Sequence, residues 1–194
     1  IDQTGNNPSS TLIGNPICGA LSGIGGRAID LNISQKVSID TTNWQDTPAA
    51  SVAMRINVKN ISNISDQLFS PLNNDEGIYL SLQPHSSDVK YYHASCHLGN
   101  NSNVSSYYNL NFDQYYNLLC TYDGEYLRIY VDGAQRGSSL VTVPNNVMWN
   151  SSSAFIEGQS NVLIDNFAYW DYAIEQYQAL LLFTPSFQFP STLN

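Results

Sequence analysis

The stretch that decides the fold runs from residue 118 to residue 133 and reads LLCTYDGEYLRIYVDG. Apolar and polar side chains alternate on both sides of Asp123-Gly124, and an Asp-Gly pair between two such runs is a strong signal for a β-hairpin. A second pair, Asp132-Gly133, ends the returning run. The pattern predicts two antiparallel strands, at 116–122 and 126–131.

The same alternation extends outward along the chain. In residues 51–58 the apolar side chains fall on one face and Ala53, Arg55 and Asn57 on the other, which predicts a half-buried strand. Further alternating segments predict strands at 77–83, 89–98 and 162–170. We therefore expect an all-β fold, a two-sheet antiparallel jelly-roll sandwich.

The ends of the chain differ from this central part. Residues 173–183 have Ile174, Tyr177 and Leu181 at helical spacing, which predicts one short C-terminal helix. Residues 1–17 are rich in Gly, Pro, Asn and Ser, and residues 184–194 contain two prolines. We expect an extended N-terminal arm at 1–17, one domain at 18–183 and an extended tail at 184–194.

Composition excludes several classes of protein. Charged residues make up 12% of the 194 residues, so the chain lacks the Lys, Glu and Arg surface typical of helical bundles. A net charge of −9 disfavours nucleic-acid partners, since no cationic footprint is available. There is no apolar run long enough to span a membrane. The chain opens at Ile1 without a signal-peptide pattern, so we expect a mature form or a fragment.

Sequons and cysteines bear on the cellular compartment. Six Asn-x-Ser sequons predict a secreted glycoprotein with glycosylation at Asn32, Asn60, Asn63, Asn100, Asn103 and Asn150. Of the three cysteines, Cys96 and Cys120 both fall on the inward faces of predicted strands. Either these two form a disulfide, or they are buried thiols that behave as small apolar side chains. Cys18 would then be free or paired with another chain.

Three blocks of the sequence resemble the concanavalin A-like lectin/glucanase superfamily, in its laminin-G-like and pentraxin-like branch. The opening block is residues 26–32, followed by the strand at 51–58. The most specific block is the hairpin with its two Asp-Gly pairs, at 122–133. The closing block covers residues 164–170 and the start of the helix. The resemblance implies two packed antiparallel sheets, one of them concave, with ligands held at loop rims or on the concave face.

The resemblance also bears on calcium. Members with a calcium site often use an Asp in the opening block, where this chain has Asn32, a poorer ligand for a hard cation. Asp165 matches the Asp of the closing block and is the candidate metal ligand, with hydrogen bonding between strand and loop as the alternative. Asp123 and Asp132 are expected to form turns. We expect no cofactor beyond a possible structural calcium ion.

Catalytic patterns are absent from the sequence. Glycoside hydrolases of this fold need paired carboxylates on a strand, written Glu-x-Asp-x-x-Glu, and no such run occurs. His93 and His97 share a strand face, but four residues at about 3.3 Å each separate them by about 13 Å, too far for one metal ion. His85 is isolated. We therefore do not expect an enzyme.

Two functional hypotheses follow. The first is a non-catalytic extracellular recognition or adhesion module that binds glycan or an extracellular protein, with Tyr126, Arg128 and Tyr130 on the outer face of the hairpin as ligand-binding candidates. The alternative for these residues is a face packed by a neighbouring loop. The second hypothesis is a structural glycoprotein subunit that self-assembles into a filament, coat or matrix through its terminal arms.

Overall fold

The computed structural model describes residues 10–14, 16–21, 27–32, 34–60, 66–71, 77–84, 91–99, 102–106, 108–142, 146–148, 152–158 and 161–183. These residues form two antiparallel β-sheets and one short helix. The predicted all-β, two-sheet jelly-roll class is confirmed.

The strands follow the alternating segments of the sequence closely. In chain order they are β1 (Ser10–Ile13), β2 (Ile17–Leu21), β3 (Arg27–Leu31), β4 (Gln35–Asp40), β5 (Ala50–Val58), β6 (Asp66–Pro71), β7 (Ile78–Pro84), β8 (Tyr91–Leu98), β9 (Ser102–Ser105), β10 (Leu110–Asn111), β11 (Tyr115–Tyr122), β12 (Tyr126–Val131), β13 (Ala134–Leu140), β14 (Ser153–Gly158) and β15 (Val162–Trp170). The helix is α1 (Gln176–Leu182).

The strands are divided between two sheets that pack face to face. Among the described residues, the first sheet has the order β1-β4-β14-β6-β7-β8-β10, with β9 also paired to β8. The second sheet has the order β13-β12-β11-β5-β15-β3-β2. The hairpin that dominates the sequence is therefore β11–β12, and β5 pairs with β11 on the side away from β12.

Both Asp-Gly pairs form the turns that their composition favours. Asp123 Oδ1 accepts hydrogen bonds from the backbone N–H groups of Glu125 (2.9 Å) and Tyr126 (2.7 Å), which closes the β11–β12 turn. Asp132 and Gly133 have φ values of 49° and 79° and connect β12 to β13. Two positive φ angles in a two-residue connection match the right-handed twist of the flanking strands.

The main core lies between the two sheets. Its largest fully buried side chains include Phe69, Tyr92, Tyr116 and Tyr122. Cys96 of β8 and Cys120 of β11 are joined by a disulfide within this core. Because β8 belongs to the first sheet and β11 to the second, the bond links the two sheets covalently.

A second, smaller cluster corrects the expectation that β5 is half buried. All nine residues of β5 are buried. On its outer face, Ala53 packs in a cluster of five buried residues drawn from the second sheet and the C-terminal segment: Ala53, Leu119, Tyr130, Ile174 and Ala179. The prediction was wrong because alternation within a strand does not show whether another element covers its polar side.

The segment before α1 is fixed to the second sheet by Ser51. The Ser51 hydroxyl donates to the Tyr172 carbonyl (2.8 Å) and accepts from the Ile174 N–H (2.8 Å). The helix then begins at Gln176, three residues later than predicted. Glu175 is its N-cap, in a capping box in which Gln178 Oε1 accepts from the Glu175 N–H (2.9 Å).

Part of the predicted N-terminal arm is a strand of the molecule's own sheet. Residues Ser10–Ile13 pair with β4 at the edge of the first sheet, and all four are exposed. Residues 1–9 and the predicted tail at 184–194 lie outside the described residues. Among the helices of the described chain, none is long and apolar enough to cross a membrane.

Candidate functional site

The three predicted ligand-binding residues on β12 differ in their exposure. Tyr130 is only 2% exposed and packs in the cluster beneath α1, so it does not line an open surface. Arg128 donates to Asp123 Oδ2 (2.5 Å) and lies over the Tyr126 ring, 5.0 Å from its centroid. Tyr130 therefore lies on a covered face, which was the alternative to a ligand-binding role. Arg128 and Tyr126 are half-buried and already partnered.

The Arg128 contact also affects the titration of its partner. Partial burial alone would raise the pKa of Asp123, but the hydrogen bonds from the Tyr126 and Glu125 N–H groups and from the Arg128 guanidinium favour the carboxylate and lower that pKa. Asp123 therefore stays charged over the whole neutral and mildly acidic range. At this end of β12 the charges of Arg128 and Asp123 therefore neutralise each other.

Asp165, the candidate metal ligand, is paired with an arginine. Its carboxylate accepts from the Arg55 guanidinium, and the two side chains are 8% and 10% exposed. Asp165 lies at an irregularity in β15 between Ile164 and Asn166, where the register with β5 shifts. Within the described residues, no three His, Cys, Asp or Glu side chains lie close enough to hold a metal ion.

The position that replaces the opening-block Asp lies in a turn. The Asn32 N–H donates to Gln35 Oε1 (2.8 Å), and its carbonyl accepts from the Gln35 N–H (2.9 Å). Asn32 is half-buried, whereas the sequon residues Asn60 and Asn103 are exposed. The remaining sequons, at Asn63, Asn100 and Asn150, fall outside the described residues.

The outer side of the first sheet presents a surface that the sequence reasoning did not select. Along β7, β8 and β9 the apolar side chains point into the core, and a set of uncharged polar and aromatic side chains points outward. This set, here called the polar face, consists of Tyr79, Ser81 and Gln83 of β7, His93, Ser95 and His97 of β8, and Asn103 and Ser105 of β9.

Cross-strand contacts fix the middle of the polar face. Tyr79 lies opposite His97, and their rings stack with centroids 4.4 Å apart and planes at 2°. His97 Nε2 forms a hydrogen bond of 2.8 Å with the Ser81 hydroxyl. The Ser95 and Ser105 hydroxyls are also 2.8 Å apart. These contacts hold the side chains in fixed positions before any ligand is present.

The polar face is graded in accessibility. Tyr79, Ser81 and Ser95 are buried, at 8%, 1% and 1% exposed. Gln83, His93 and His97 are half-buried, and Asn103 is exposed at one margin. Burial lowers the pKa of His97 to about 4, so the imidazole is neutral near pH 7. At that pH the face offers hydrogen-bond donors and acceptors without formal charge.

The Ser81–His97 hydrogen bond does not make a nucleophilic site. The Ser81 hydroxyl is buried, and Ser81 lies inside β7 with a partner strand on each side, opposite Gln67 and Ser95. Backbone N–H groups in such a position serve the sheet and cannot form an oxyanion hole. A histidine with so low a pKa is also a weak general base at neutral pH.

At one margin of the polar face, an arginine of the second sheet lies over the ring of a tyrosine in the connection between β9 and β10. Arg136 lies on the edge strand β13, and its guanidinium is 4.3 Å from the Tyr108 ring centroid. Tyr108 is 40% exposed. His93 Nδ1 is 3.3 Å from the Tyr108 carbonyl oxygen, which connects this pair to the polar face.

The signal for the polar face was present in the sequence. Residues 79–83 and 93–97 read Tyr-x-Ser-x-Gln and His-x-Ser-x-His, so neutral polar groups recur at every second position. His93 and His97 were predicted to share a strand face, but they were considered only as ligands of one metal ion. Their adjacency to β7, which the sequence does not specify, is what brings the set together.

Comparison with protein families agrees with this architecture. A laminin-G family model described as "Concanavalin A-like lectin/glucanases superfamily" matches residues 31–179. The chain belongs to the concanavalin A-like lectin/glucanase superfamily. No curated protein matches the sequence.

Solved structures with the same fold include binding domains of botulinum neurotoxins. The botulinum neurotoxin serotype C1 binding domain aligns with a TM-score of 0.71 at 13% identity, covering 95% of this chain and 48% of that one. A botulinum neurotoxin DC binding domain, solved in one case with SialylT and in another with rat synaptotagmin II, aligns with a TM-score of 0.68 at 13% and 14% identity. Each alignment covers 92% of this chain and 47% of the other. The chain thus spans about half the length of these domains.

Proposed function

We propose that the chain is a non-catalytic extracellular recognition module that binds glycan or protein through the polar face, with glycan favoured. The observation that carries this proposal is the uncharged set of hydroxyl, amide and imidazole groups on β7, β8 and β9. Sugars present mainly hydroxyl groups, which such side chains can meet as donors and as acceptors. A protein partner would favour a more apolar central patch.

The fixed geometry of the face supports binding. Stacking with Tyr79 and the hydrogen bond to Ser81 restrict the His97 side chain before a ligand arrives. Less side-chain entropy is then lost on association. Membership of a superfamily that includes lectins agrees with this assignment, as do the binding domains among structures of the same fold.

Features elsewhere in the chain support an extracellular location. The Cys96–Cys120 disulfide is of a kind that persists mainly in oxidising compartments. Asn60 is a sequon residue with an exposed side chain, as glycosylation requires. The self-assembly alternative has less support, because residues Ser10–Ile13 of the arm already pair with β4 of the same chain.

Glycan-dependent thermal stabilisation tests the proposal. We expect at least one oligosaccharide on a broad panel to raise the melting temperature of the wild-type protein, since a ligand that binds the folded state stabilises it. Gln83→Ala should weaken that binding, measured by isothermal titration calorimetry. Gln176→Ala, at an exposed glutamine on α1, is the matched control and should bind as the wild type does.

Two results would overturn the proposal. The first is that no glycan stabilises the protein and that no protein partner is found whose binding is weakened by Gln83→Ala. The other is binding that survives substitution on the polar face but is lost in Arg128→Ala, which would return the site to the hairpin.

A further inference from the structure

The described cationic side chains differ in how they are neutralised. Three form ion pairs: Arg55 with Asp165, Lys59 with Asp113, and Arg128 with Asp123. Arg136 and Lys36 form no ion pair among the described residues. Arg136 lies over the Tyr108 ring, and Lys36, on β4 away from the polar face, lies over the Phe155 ring. In a chain with sixteen acidic and seven basic residues, an exposed arginine without an acidic partner is unexpected.

The stacking on Tyr108 leaves the donors of Arg136 available. A guanidinium held over a ring uses its face for the cation–π contact, and its N–H groups lie around its edge. The ring therefore orients the group without satisfying its hydrogen-bonding capacity. Arg136 is exposed, so those donors are open to a ligand.

The position of the pair is fixed by a close approach of the two sheets. A Cβ atom at Gly137 would lie 2.6 Å from the Ser105 carbonyl oxygen, so β13 and β9 approach there as only glycine allows. Ser105 belongs to the polar face, and His93 of that face contacts the Tyr108 carbonyl. Tyr108 therefore borders the polar face through its backbone and carries Arg136 on its ring, which places the guanidinium beside that margin.

We propose that Arg136, oriented by Tyr108, binds the carboxylate of an acidic sugar residue within a glycan that occupies the polar face. This inference rests on the proposed function, and it adds the class of glycan. Guanidinium and carboxylate form paired, charge-assisted hydrogen bonds, which are stronger than neutral ones. The rest of such a ligand would be neutral, to match the uncharged side chains of the face.

The charge of the whole molecule limits the ligand to few acidic groups. With a net charge of −9, the protein repels a polyanion at long range. One carboxylate in contact with one guanidinium is a local interaction that salt screens only in part. A glycan with a single sialic or uronic acid fits this condition, and a heavily sulfated chain does not.

A paired glycan panel tests the inference. Each neutral oligosaccharide is presented beside its sialylated or uronic-acid counterpart, and affinities of the pairs are compared at one ionic strength. We expect the wild-type protein to prefer the acidic member of at least one pair by about tenfold, a typical effect for one hydrogen-bonded charge. Arg136→Ala should abolish the preference while the affinity for the neutral member stays within about twofold.

Arg128 provides a matched control. It is also an arginine stacked on a tyrosine of the hairpin region, but Asp123 neutralises it. Arg128→Ala should therefore leave the preference for the acidic glycan unchanged. Arg136→Lys keeps the charge without the planar donor pair and should retain only part of the preference. Thermal melting of each variant shows that the fold is retained.

The outcomes separate this inference from the function on which it rests. Equal binding of neutral and acidic glycans, lost in Gln83→Ala, overturns the acidic-sugar inference and leaves the recognition module intact. A preference that survives Arg136→Ala also overturns it, as does one lost equally in Arg128→Ala. If no glycan binds, both fail. Binding of an acidic peptide but no acidic glycan would overturn the assignment of the ligand class.

Discussion

His97 packs in the middle of the polar face, and its burial there changes its pKa. Its ring is stacked on Tyr79 and bonded to Ser81 in the middle of the polar face, and burial lowers its pKa to about 4. An unfolded chain would protonate this histidine near pH 6.5. The folded protein must therefore keep a neutral imidazole at pH values where the unfolded chain already binds a proton.

Stability should consequently fall as the pH decreases from about 6.5 to about 4. The pKa of His97 is lower in the folded state than in the unfolded state. As the pH falls, the unfolded state therefore binds the proton first and is stabilised relative to the folded state. At pH 5 the loss is at most about 2 kcal/mol, and solvent screening of this partly exposed group reduces it. Melting temperatures at pH 7 and pH 5, for the wild type and for His97→Gln, measure the effect.

The His97→Gln variant should lose part of this pH dependence. His93→Gln, on the same strand and the same face, controls for the replacement of an imidazole by an amide, and its melting temperatures are compared at the same two pH values. Equal pH dependence in wild type and His97→Gln would contradict the prediction.

Arg55 and Asp165 make a second prediction at the residue scale. Both side chains are about nine-tenths buried, so Asp165→Ala leaves a buried guanidinium without its counter-charge. We expect a loss of about 3–5 kcal/mol in the free energy of unfolding, measured by urea denaturation. Lys59→Ala, which removes the exposed pair with Asp113, should cost no more than about 1 kcal/mol.

The same variant bears on the calcium hypothesis for Asp165. If the carboxylate acts only as the partner of Arg55, chelation should not change the melting temperature of the wild type. A melting temperature that falls on chelation and recovers with calcium, in the wild type but not in Asp165→Ala, would instead make Asp165 a metal ligand.

At the scale of elements, the β12–β13 turn requires glycine at position 133 for two separate reasons. Gly133 has a φ of 79°, and a Cβ atom there would lie 3.0 Å from Leu180 Cα and 3.2 Å from the Ala179 carbonyl oxygen. The turn therefore needs glycine for its backbone conformation and also for the approach of α1. Neither atom belongs to a side chain that could turn aside.

Gly133→Ala should therefore destabilise the protein by more than the strain of a positive φ alone, which is about 1 kcal/mol. Gly124→Ala is the matched control, since Gly124 also has a positive φ, of 95°, but its Cβ would meet only the Pro48 carbonyl oxygen at 3.4 Å. Urea denaturation of both variants gives the comparison. Equal losses would show that α1 yields to the added methyl group.

The Cys96–Cys120 bond is the second element-scale feature. It joins β8 to β11 with a sequence separation of 24 residues. Closing a loop of that size restricts the unfolded chain, and its removal is expected to cost about 2–4 kcal/mol. The double variant Cys96→Ala with Cys120→Ala should lose this amount in denaturation experiments, and the wild type should lose it on reduction. An unchanged midpoint in both cases would contradict the prediction.

The sequence allowed the strands to be predicted more reliably than the surfaces. Alternation and the two Asp-Gly pairs depend on neighbours in the chain, so β11, β12 and β15 could be placed within one residue of their observed ends. Which outer face is covered depends on where α1 packs, and that contact joins residues far apart in sequence. For this reason Tyr130 was expected on an open face, and the polar face was not anticipated.

At the scale of the whole molecule, the two outer faces have different roles. The outer face of the second sheet is partly closed by the cluster of Ala53, Leu119, Tyr130, Ile174 and Ala179. The outer face of the first sheet carries the polar face, with exposed Asn103 at one margin and Arg136 beside Tyr108 at another. The proposed recognition surface therefore lies opposite the helix, on the other side of the sandwich.

The bond between the sheets has a mechanical consequence. A pulling force applied between the two ends of the domain cannot extend the segment that the disulfide closes, because that force passes through the sulfur atoms. With a separation of 24 residues and at most about 3.6 Å of chain per residue, roughly 80 Å of contour length is withheld from the load. Single-molecule pulling should show longer unfolding steps by this amount after reduction. A domain pulled from both ends while it holds a ligand would therefore extend by less than the contour length of its full chain.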